Sequence, residues 1–372
     1  MSGGNTGDDS ASISIEPSTV KEPMIPLLAA LRVGRIVSVA IFCLLIAICS
    51  SASQNQPQVS PQSSATVAQQ TSTASATHTT NGPKFDITTE SPGDKFTFVS
   101  YGDTRFMDPN DTRHSNATAR IALVQRIAKE KPFFLTISGD IVYEGSNVQE
   151  WLEFDRETKV WRDQKIKIFP AIGNHDVVGG EAAALPNYFQ RFPLLDSKRW
   201  YAVHCGNVAI LALDSTEKDS PGSEQAKWLD NNLSAMANDI DFVIILLHHP
   251  PYTESTAHML GGGHDARRQE QELAQIIEGH QAKMRAKIVV IAGHVHNYER
   301  YERAGVMYIV SGGGGATPYL IKRRPGDVYT DPGPTYHYCR FRVEGAHLKG
   351  EMVKYVDPNN FQVRDMFELS AK

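Results

Sequence analysis

Residues 133–140 read FFLTISGD, an apolar run of strand length that ends in Gly139 and Asp140. Residues 96–103 read FTFVSYGD and repeat the same pattern. Apolar runs of this length, closed by turn residues, are typical of buried strands. The two stretches therefore predict strands of an internal sheet, each of which ends in a carboxylate.

Three more apolar runs follow the same plan, with imidazole or amide side chains after the strand. They are residues 165–172 (KIKIFPAI) before GNHD, residues 242–247 (FVIILL) before HH, and residues 287–292 (KIVVIA) before GHVH. In open α/β sheets ligands bind outside the carboxyl ends of the strands, because several loops converge there. The five strand ends therefore predict one polar site.

Segments with helical spacing alternate with these strands. Helices are predicted over residues 116–129, with Ser115 or Asn116 as the N-cap, and over residues 223–236 and 267–284. A hairpin is predicted over residues 200–214, and four C-terminal strands are assigned to a second sheet: 307–310, 338–343, 348–356 and 362–369. The alternation predicts an α/β domain in which helices lie outside β-sheet.

The overall composition is that of an average soluble protein. The chain has 372 residues, with 41% hydrophobic residues, 21% charged residues and a mean hydropathy of -0.32. These values exclude a fibrous, collagen-like or polytopic membrane protein. The net charge of -5 is too small to indicate a general polyanion binder, so binding to a nucleic-acid duplex is not expected.

The N-terminal region has a different composition. Between Arg35 and Lys84 there is no Asp, Glu, Lys or Arg, and the apolar residues 36–49 follow two arginines. This pattern predicts a signal peptide or a retained signal anchor within residues 1–53, and hence an exported protein that is periplasmic, secreted or membrane-tethered outside the cytoplasm. Residues 54–82, rich in Ser, Thr and Gln, are predicted to be a disordered linker, and residues 83–372 to be the catalytic domain.

The strand ends together supply an unusual set of donors. They are Asp103, Asp140, Tyr143, Asn174, His175, His248, His294 and His296. Carboxylate, phenol, amide and imidazole groups without thiolates suit hard to borderline divalent or trivalent ions. A single Gly-Asp after a strand is usually only a turn. Seven candidates besides His175 exceed the needs of one tetrahedral ion, so two ions that share a carboxylate are predicted.

These motifs resemble those of the calcineurin-like metallophosphoesterases, and within them the purple acid phosphatases. The motifs are GDTR (102–105), GDIVY (139–143), GNHD (173–176), HHPPY (248–252) and GHVHNYER (293–300). Most members of the superfamily carry a His two residues after the first Asp, whereas this chain lacks that His and has Tyr143, as the purple acid phosphatases do. The resemblance spans residues 96–369 and implies a four-layer αββα fold, a two-sheet β-sandwich flanked by helices.

The resemblance also implies roles for individual residues. Asp103, Tyr143 and His296 would hold the first metal, Asp140 would bridge, and Asn174, His248 and His294 would hold the second. The metal pair would be iron with zinc, manganese or a second iron. A metal-activated hydroxide would attack the phosphorus atom, and His175 would assist the leaving group.

Two positions near these motifs have open roles. Arg105 stands where the purple acid phosphatases commonly have Gly, so it either donates to the substrate phosphate or pairs with a carboxylate. His249 is expected to face the substrate or to support a ligand, with a purely structural role as the alternative.

The sequence thus predicts an exported two-metal phosphatase that acts on phosphomonoesters. The alternatives are a phosphodiesterase or nucleotidase on the same metal centre, and a non-catalytic surface protein that holds metal. His175 beside the ligand set argues against this last function, because a structural metal site needs no acid.

Overall fold

The computed structural model describes residues 84–86, 92–93, 95–255, 258–259, 262–325 and 327–371. The predicted leader, and the linker over residues 54–82, lie outside these ranges. Within the described ranges no helix is long and apolar enough to cross a membrane.

Two mixed β-sheets form the centre of the domain. The seven-stranded sheet has the spatial order β1 (Lys84–Asp86), β5 (Tyr201–Cys205), β6 (Val208–Ala212), β7 (Phe242–Leu246), β10 (Lys287–Ala292), β12 (Val306–Ser311) and β11 (Tyr298–Arg303). The six-stranded sheet has the order β15 (Asn360–Ser370), β14 (His347–Asp357), β13 (His337–Glu344), β2 (Lys95–Tyr101), β3 (Phe134–Ser138) and β4 (Lys167–Ala171). A small hairpin pairs β8 (His258–Met259) with β9 (Gly262–Gly263).

Six α-helices accompany these sheets in the described part of the chain. They are α1 (Ala117–Glu130), α2 (Val148–Glu157), α3 (Lys159–Asp163), α4 (Glu181–Arg191), α5 (Glu224–Ser234) and α6 (Arg268–Gln281). Short 3₁₀ turns occur at His175–Val177 and Pro193–Leu195. Asn116 is the N-cap of α1, since its side-chain oxygen accepts the amide of Ala119 at 3.0 Å.

The alternation of side chains along β7 shows how the layers stack. Ile244 belongs to the core cluster that also contains Phe98 of the other sheet. Its neighbour Ile245 packs on the opposite face, in a separate cluster with Trp228 of α5 and Leu273 of α6. Because successive side chains of a strand point to opposite faces, one strand serves both layers.

The six-stranded sheet is covered by helices in the same way. The indole of Trp161 in α3 donates to the carbonyl of Val124 in α1, and its ring packs edge-on against Tyr101 of β2 at 6.0 Å. Helices therefore flank both sheets, and the four-layer α/β fold expected from the sequence is confirmed.

The predicted division of strands between the two sheets is wrong. Strand β12 pairs in parallel with β10, so residues 307–310 belong with the central strands and not with the C-terminal ones. Strand β13 pairs with β2, so the C-terminal strands extend the sheet that contains β2 and β3. Apolar alternation shows that a segment is a strand, but its hydrogen-bond partner is chosen by distant parts of the chain.

Helices α2, α3 and α4 were not predicted from the sequence. Helix α4 contains Pro186, a residue that usually ends a helical pattern. The other two lie end to end, joined at Thr158, so neither presents a long stretch of helical spacing.

A buried arginine ties three of these elements together. The guanidinium of Arg120 in α1 donates to both carboxylate oxygens of Glu157 in α2, at 2.8 and 2.6 Å. It also donates to the backbone carbonyl of Arg105 at 2.9 Å, in the loop that follows β2. Both side chains of the ion pair are fully buried. The contact therefore fixes the loop that carries Asp103 to the helical layer.

We expect Arg120→Met to lower the free energy of unfolding by about 3 to 5 kcal/mol, because it leaves Glu157 buried without its partner. Arg120→Met combined with Glu157→Met should recover part of this loss. Lys159→Met, which breaks an ion pair whose side chains are 70% and 58% exposed, is the control and should change little. Urea unfolding measures all three, and equal effects of the two single variants would contradict the role given to Arg120.

Candidate metal centre

The five strand ends singled out in the sequence meet at one edge of the sandwich. Strands β2, β3 and β4 are parallel neighbours in one sheet, and β7 and β10 are parallel neighbours in the other. Their carboxyl ends carry, respectively, Asp103, Asp140, Asn174, His248 and His294. The site is therefore built by both sheets.

The backbone is unusual at several of these positions. Asp103, Arg105, Asp140 and His294 have φ angles of 55°, 44°, 52° and 68°, in the left-handed region that residues with a side chain rarely adopt. Such strain persists only where surrounding contacts hold it, and it occurs mainly at functional sites. The glycine before Asp140 is also constrained, because a Cβ on Gly139 would lie 2.6 Å from the ring of His248.

One group of possible metal-ligand atoms, called a donor group below, includes an oxygen of Asp103. Its Oδ1 atom, Oδ2 of Asp140 and Nε2 of His296 are buried and make no hydrogen bond within the described residues. The Nε2 atom of His296 lies 3.5 Å from Oδ1 of Asp103. Buried polar atoms nearly always make hydrogen bonds, so three buried atoms that make none within the described residues fit a site for a cation.

A second group of donors surrounds Asn174. Its side-chain oxygen lies 3.0 Å from Nε2 of His248 and 3.0 Å from Nδ1 of His294. The Oδ1 atom of Asp140 lies 3.3 Å from the same nitrogen of His248. A carboxylate oxygen of Asp140 also lies within 4.8 Å of a carboxylate oxygen of Asp103. Asp140 thus lies next to both groups, where a shared carboxylate would be placed.

Hydrogen bonds behind two of the imidazoles set their orientation. The Nδ1 atom of His248 donates to the carbonyl of Ser138 at 2.8 Å, and Nδ1 of His296 donates to the carbonyl of Thr317 at 3.0 Å. Because the carbonyls can only accept, these bonds leave the Nε2 lone pairs free to face the site.

Burial and mutual charge determine the protonation of the site. Burial raises the pKa of Asp103 to about 7, although His248 acts in the opposite direction. Burial also opposes ionisation of Asp140, but its pKa is lowered overall by His248, His175 and Arg105. Burial, reinforced by nearby histidines, lowers the pKa of His294 to about 2, and burial, reinforced by Arg105, lowers that of His296 to about 3. Neutral imidazoles and an ionised carboxylate are the forms that bind metal.

His175 lies beside Asp140 and contacts Arg105. Its backbone amide donates to Oδ1 of Asp140 at 2.8 Å, and its Nδ1 donates to the carbonyl of Tyr143 at 2.7 Å. Its Nε2 accepts from the guanidinium of Arg105 at 2.8 Å. Burial lowers the pKa of His175, and Arg105 adds to that effect while Asp140 opposes it.

Arg105 reaches the centre of the site. Its guanidinium lies 3.6 Å from Oδ2 of Asp140, and the residue is only 9% exposed. The sequence left two roles for Arg105, donation to the substrate phosphate and pairing with a carboxylate. Its position is compatible with both.

Tyr143 is placed beside His175 by ring contacts. Its ring centroid lies 5.0 Å from that of His175 and 4.7 Å from that of His114, and the guanidinium of Arg105 lies 5.5 Å from its centre. Among the described residues its hydroxyl makes no hydrogen bond to Asp103 or Asp140.

His249 is buried next to the second group of donors. Its ring lies 4.4 Å from His294 and 4.9 Å from His248. Burial, together with the charge of His248, holds its pKa well below the usual value. One ring nitrogen of each of these three histidines lies within 4.8 Å of the other two.

Three residues of the site were not given a role from the sequence. Asp176 is fully buried and accepts the amides of Ile141 and Gly173 at 2.8 and 2.9 Å, so it joins the loops after β3 and β4. His114 stacks on Tyr143, and the ring of Tyr319 lies 5.3 Å from that of His296. Asp176 stands inside a quoted motif and could have been noticed there, whereas Tyr319 carries no signal in the sequence.

The chain is similar to known proteins in both sequence and structure. The sequence profile of the calcineurin-like phosphoesterases matches residues 97–298. The chain is similar to probable purple acid phosphatase 20 of Arabidopsis thaliana, at 28% identity over 235 residues, which cover 58% of this chain and 51% of that protein. The chain thus spans about half the length of this curated relative.

Solved structures share the fold. A purple acid phosphatase from yellow lupin (Lupinus luteus) seeds superposes with a TM-score of 0.60 at 17% identity, over 74% of this chain and 54% of that one. GAP50 of Plasmodium, described as the anchor in the inner membrane complex, superposes with a TM-score of 0.51 at 18% identity, over 75% of this chain and 89% of that one.

The family profile covers more than half of the chain, and the same stretch contains the strand ends that form the candidate metal centre. With purple acid phosphatases among its relatives in both sequence and structure, this chain belongs to the calcineurin-like phosphoesterase family.

Proposed function

We propose that this protein is an exported, two-metal phosphatase that hydrolyses phosphomonoesters. The observation that carries the proposal is the pair of donor groups on either side of Asp140, one of which presents three buried polar atoms that make no hydrogen bond within the described residues. Export is proposed from the N-terminal sequence, which lies outside the described residues.

Each donor group suits one metal ion. Asp103 and His296, with Tyr143 as the resemblance suggests, would hold the first ion, and Asn174, His248 and His294 would hold the second, with Asp140 between them. When bound, two ions held in this way would stabilise the attacking and leaving oxygens of a phosphoryl displacement. An iron ion at the Tyr143 position, paired with zinc, manganese or iron, follows from the resemblance to the purple acid phosphatases.

The residues around the ions would handle the substrate. Arg105 offers a fork of N–H donors next to Asp140, a geometry that suits a phosphate group. A phosphate group that drew this guanidinium away would leave Nε2 of His175 without its donor and open to the leaving oxygen. His175 would then need to carry a proton on Nε2 to act as the acid.

A phosphodiesterase or nucleotidase is the second candidate, because the same metal ligands would serve a phosphodiester if the residues around the entrance of the site accommodated it. A non-catalytic surface protein that holds metal is the third candidate; the fold also occurs in GAP50 of Plasmodium, described as the anchor in the inner membrane complex. Contact between His175 and Arg105 beside the donors supports catalysis. A panel of monoesters, diesters and nucleotides, assayed with metal analysis, distinguishes these functions.

Asp140→Asn should abolish hydrolysis, by at least about 100-fold, and lower the bound metal in the same sample, because both donor groups lose the shared carboxylate. Asp163→Asn, at an exposed position, is the matched control. Mass spectrometry of the metal content alongside the rate measures both effects. Full metal content with full activity in Asp140→Asn would refute the proposed centre.

His175→Ala should retain metal and lose turnover by about 10² to 10⁴-fold, with the greatest loss for esters that have poor leaving groups. His347→Ala, near the exposed end of β14, is the control. Rates are measured across a series of leaving-group pKa values. A loss that is the same for every leaving group would show that His175 is not the acid.

Tyr143→Phe tests the first metal. A phenolate bound to ferric iron absorbs visible light, so the oxidised wild-type protein should be coloured and the variant should be bleached while keeping its fold. Tyr355→Phe, in β14, is the control. Visible spectra with iron analysis provide the measurement. Stoichiometric iron whose spectrum is unaltered by Tyr143→Phe would remove Tyr143 from the ligand set.

A further inference from the structure

Ser215 makes two contacts with His249 at the back of the site. Ser215 follows β6 and is fully buried. Its hydroxyl oxygen accepts the backbone amide of His249 at 2.9 Å. The same oxygen lies 2.9 Å from Nδ1 of the His249 ring. One hydroxyl therefore holds both the backbone and the side chain of this histidine.

These two contacts determine which ring nitrogen of His249 carries the proton. The amide is a donor, so the hydroxyl must accept there and direct its own hydrogen elsewhere. Within the described part of the chain, Nδ1 of His249 is the acceptor found for that hydrogen. A buried hydroxyl hydrogen without an acceptor is costly, so Nδ1 accepts and the proton of the neutral ring lies on Nε2.

A protonated Nε2 cannot bind a metal ion. A histidine ligand needs a free lone pair on the coordinating nitrogen, and in His249 the nitrogen with the lone pair is turned toward Ser215. This separates His249 from His248 and His294, although the three form one cluster within 4.8 Å. Its Nε2–H lies on the side of the ring away from Ser215 and is a donor.

The position of Ser215 is itself fixed. Arg267 donates from its guanidinium to the backbone carbonyl of Ser215 at 2.6 Å and to the carboxylate of Glu270 in α6. Ser215 thus acts on His249 from a braced loop, which keeps the orientation of the ring constant.

We propose that His249 is a hydrogen-bond donor to the phosphoryl oxygens of the substrate, and that Ser215 is the positioning residue that fixes its Nε2–H tautomer. This inference rests on the proposed function and deepens it. It gives His249 a task different from that of His175, whose Nε2 accepts from Arg105 in the structure. The site then holds one imidazole that donates without acquiring a proton and one that must first be protonated.

The binding experiment uses inorganic phosphate and the metal-loaded, full-length protein. His249→Ala should weaken phosphate binding, measured by calorimetry, by about 10-fold, and lower kcat/KM for a phosphomonoester by about 10 to 100-fold with both metals retained. His249→Gln, which keeps an N–H donor, should recover part of each loss.

The positioning role of Ser215 has its own test. Ser215→Ala should lower phosphate affinity about threefold to tenfold, and should add nothing in a protein that already carries His249→Ala, because both changes remove the same donor. Nitrogen-15 NMR of the imidazole should show an unprotonated Nδ1 in the wild type and a mixture of tautomers in Ser215→Ala. A merely structural Ser215 would change stability without moving this signal.

Three results would overturn the inference. Loss of one metal in His249→Ala would make His249 a ligand, a protonated Nδ1 would reverse the tautomer, and unchanged phosphate binding in His249→Ala would remove the contact. A wild-type protein that binds phosphate but hydrolyses no phosphate ester would refute the proposed function alone, because the phosphate titration still tests the donor.

Discussion

The buried carboxylate of Asp140 is the constraint on which the rest of the site depends. An ionised carboxylate without solvent is very unfavourable unless hydrogen bonds and opposite charges compensate for it. Here the amide of His175 donates to one oxygen, the ring of His248 lies 3.3 Å from it, and the guanidinium of Arg105 approaches the other. Asp140 therefore contacts residues from three different loops, which follow strands of both sheets.

Meeting this constraint requires a rigid scaffold. Asp140 itself has a left-handed backbone, which the surrounding structure must hold in place. Asp176 does so by accepting the backbone amides of Ile141, next to Asp140, and of Gly173 in its own loop. Arg120 holds the loop after β2 by donating to the carbonyl of Arg105. The residues that support the site are thus as deeply buried as the donors themselves. Stability and function are linked at these positions, because the same hydrogen bonds serve both.

The imidazoles of the site are differentiated by the groups behind them. Backbone carbonyls accept from Nδ1 of His248 and of His296, which leaves their Nε2 lone pairs for a metal. In His249 the hydroxyl of Ser215 donates to Nδ1, so the proton of the neutral ring lies on Nε2. His175 has a carbonyl on one side and Arg105 on the other. The hydrogen-bond partners of these four histidines therefore suit them to different tasks. His248 and His296 can bind a metal, His249 can donate to a substrate, and His175 can act as an acid only after it is protonated.

The sequence alone determined the chemical inventory of this protein and the local structure that presents it. Five apolar runs, each followed by donors at a fixed spacing, predicted the strands, the polar strand ends and the family, because these features depend on residues that are neighbours in the chain. The layered α/β fold and the start of α1, with its cap at Ser115 or Asn116, followed for the same reason. The tertiary structure decided which sheet each strand joins, that Arg105 contacts His175, that Ser215 supports His249, and that Tyr319 packs against His296. These pairs join residues that are far apart in the chain, and no local pattern of hydrophobicity or spacing encodes which of many compatible partners folding will bring into contact.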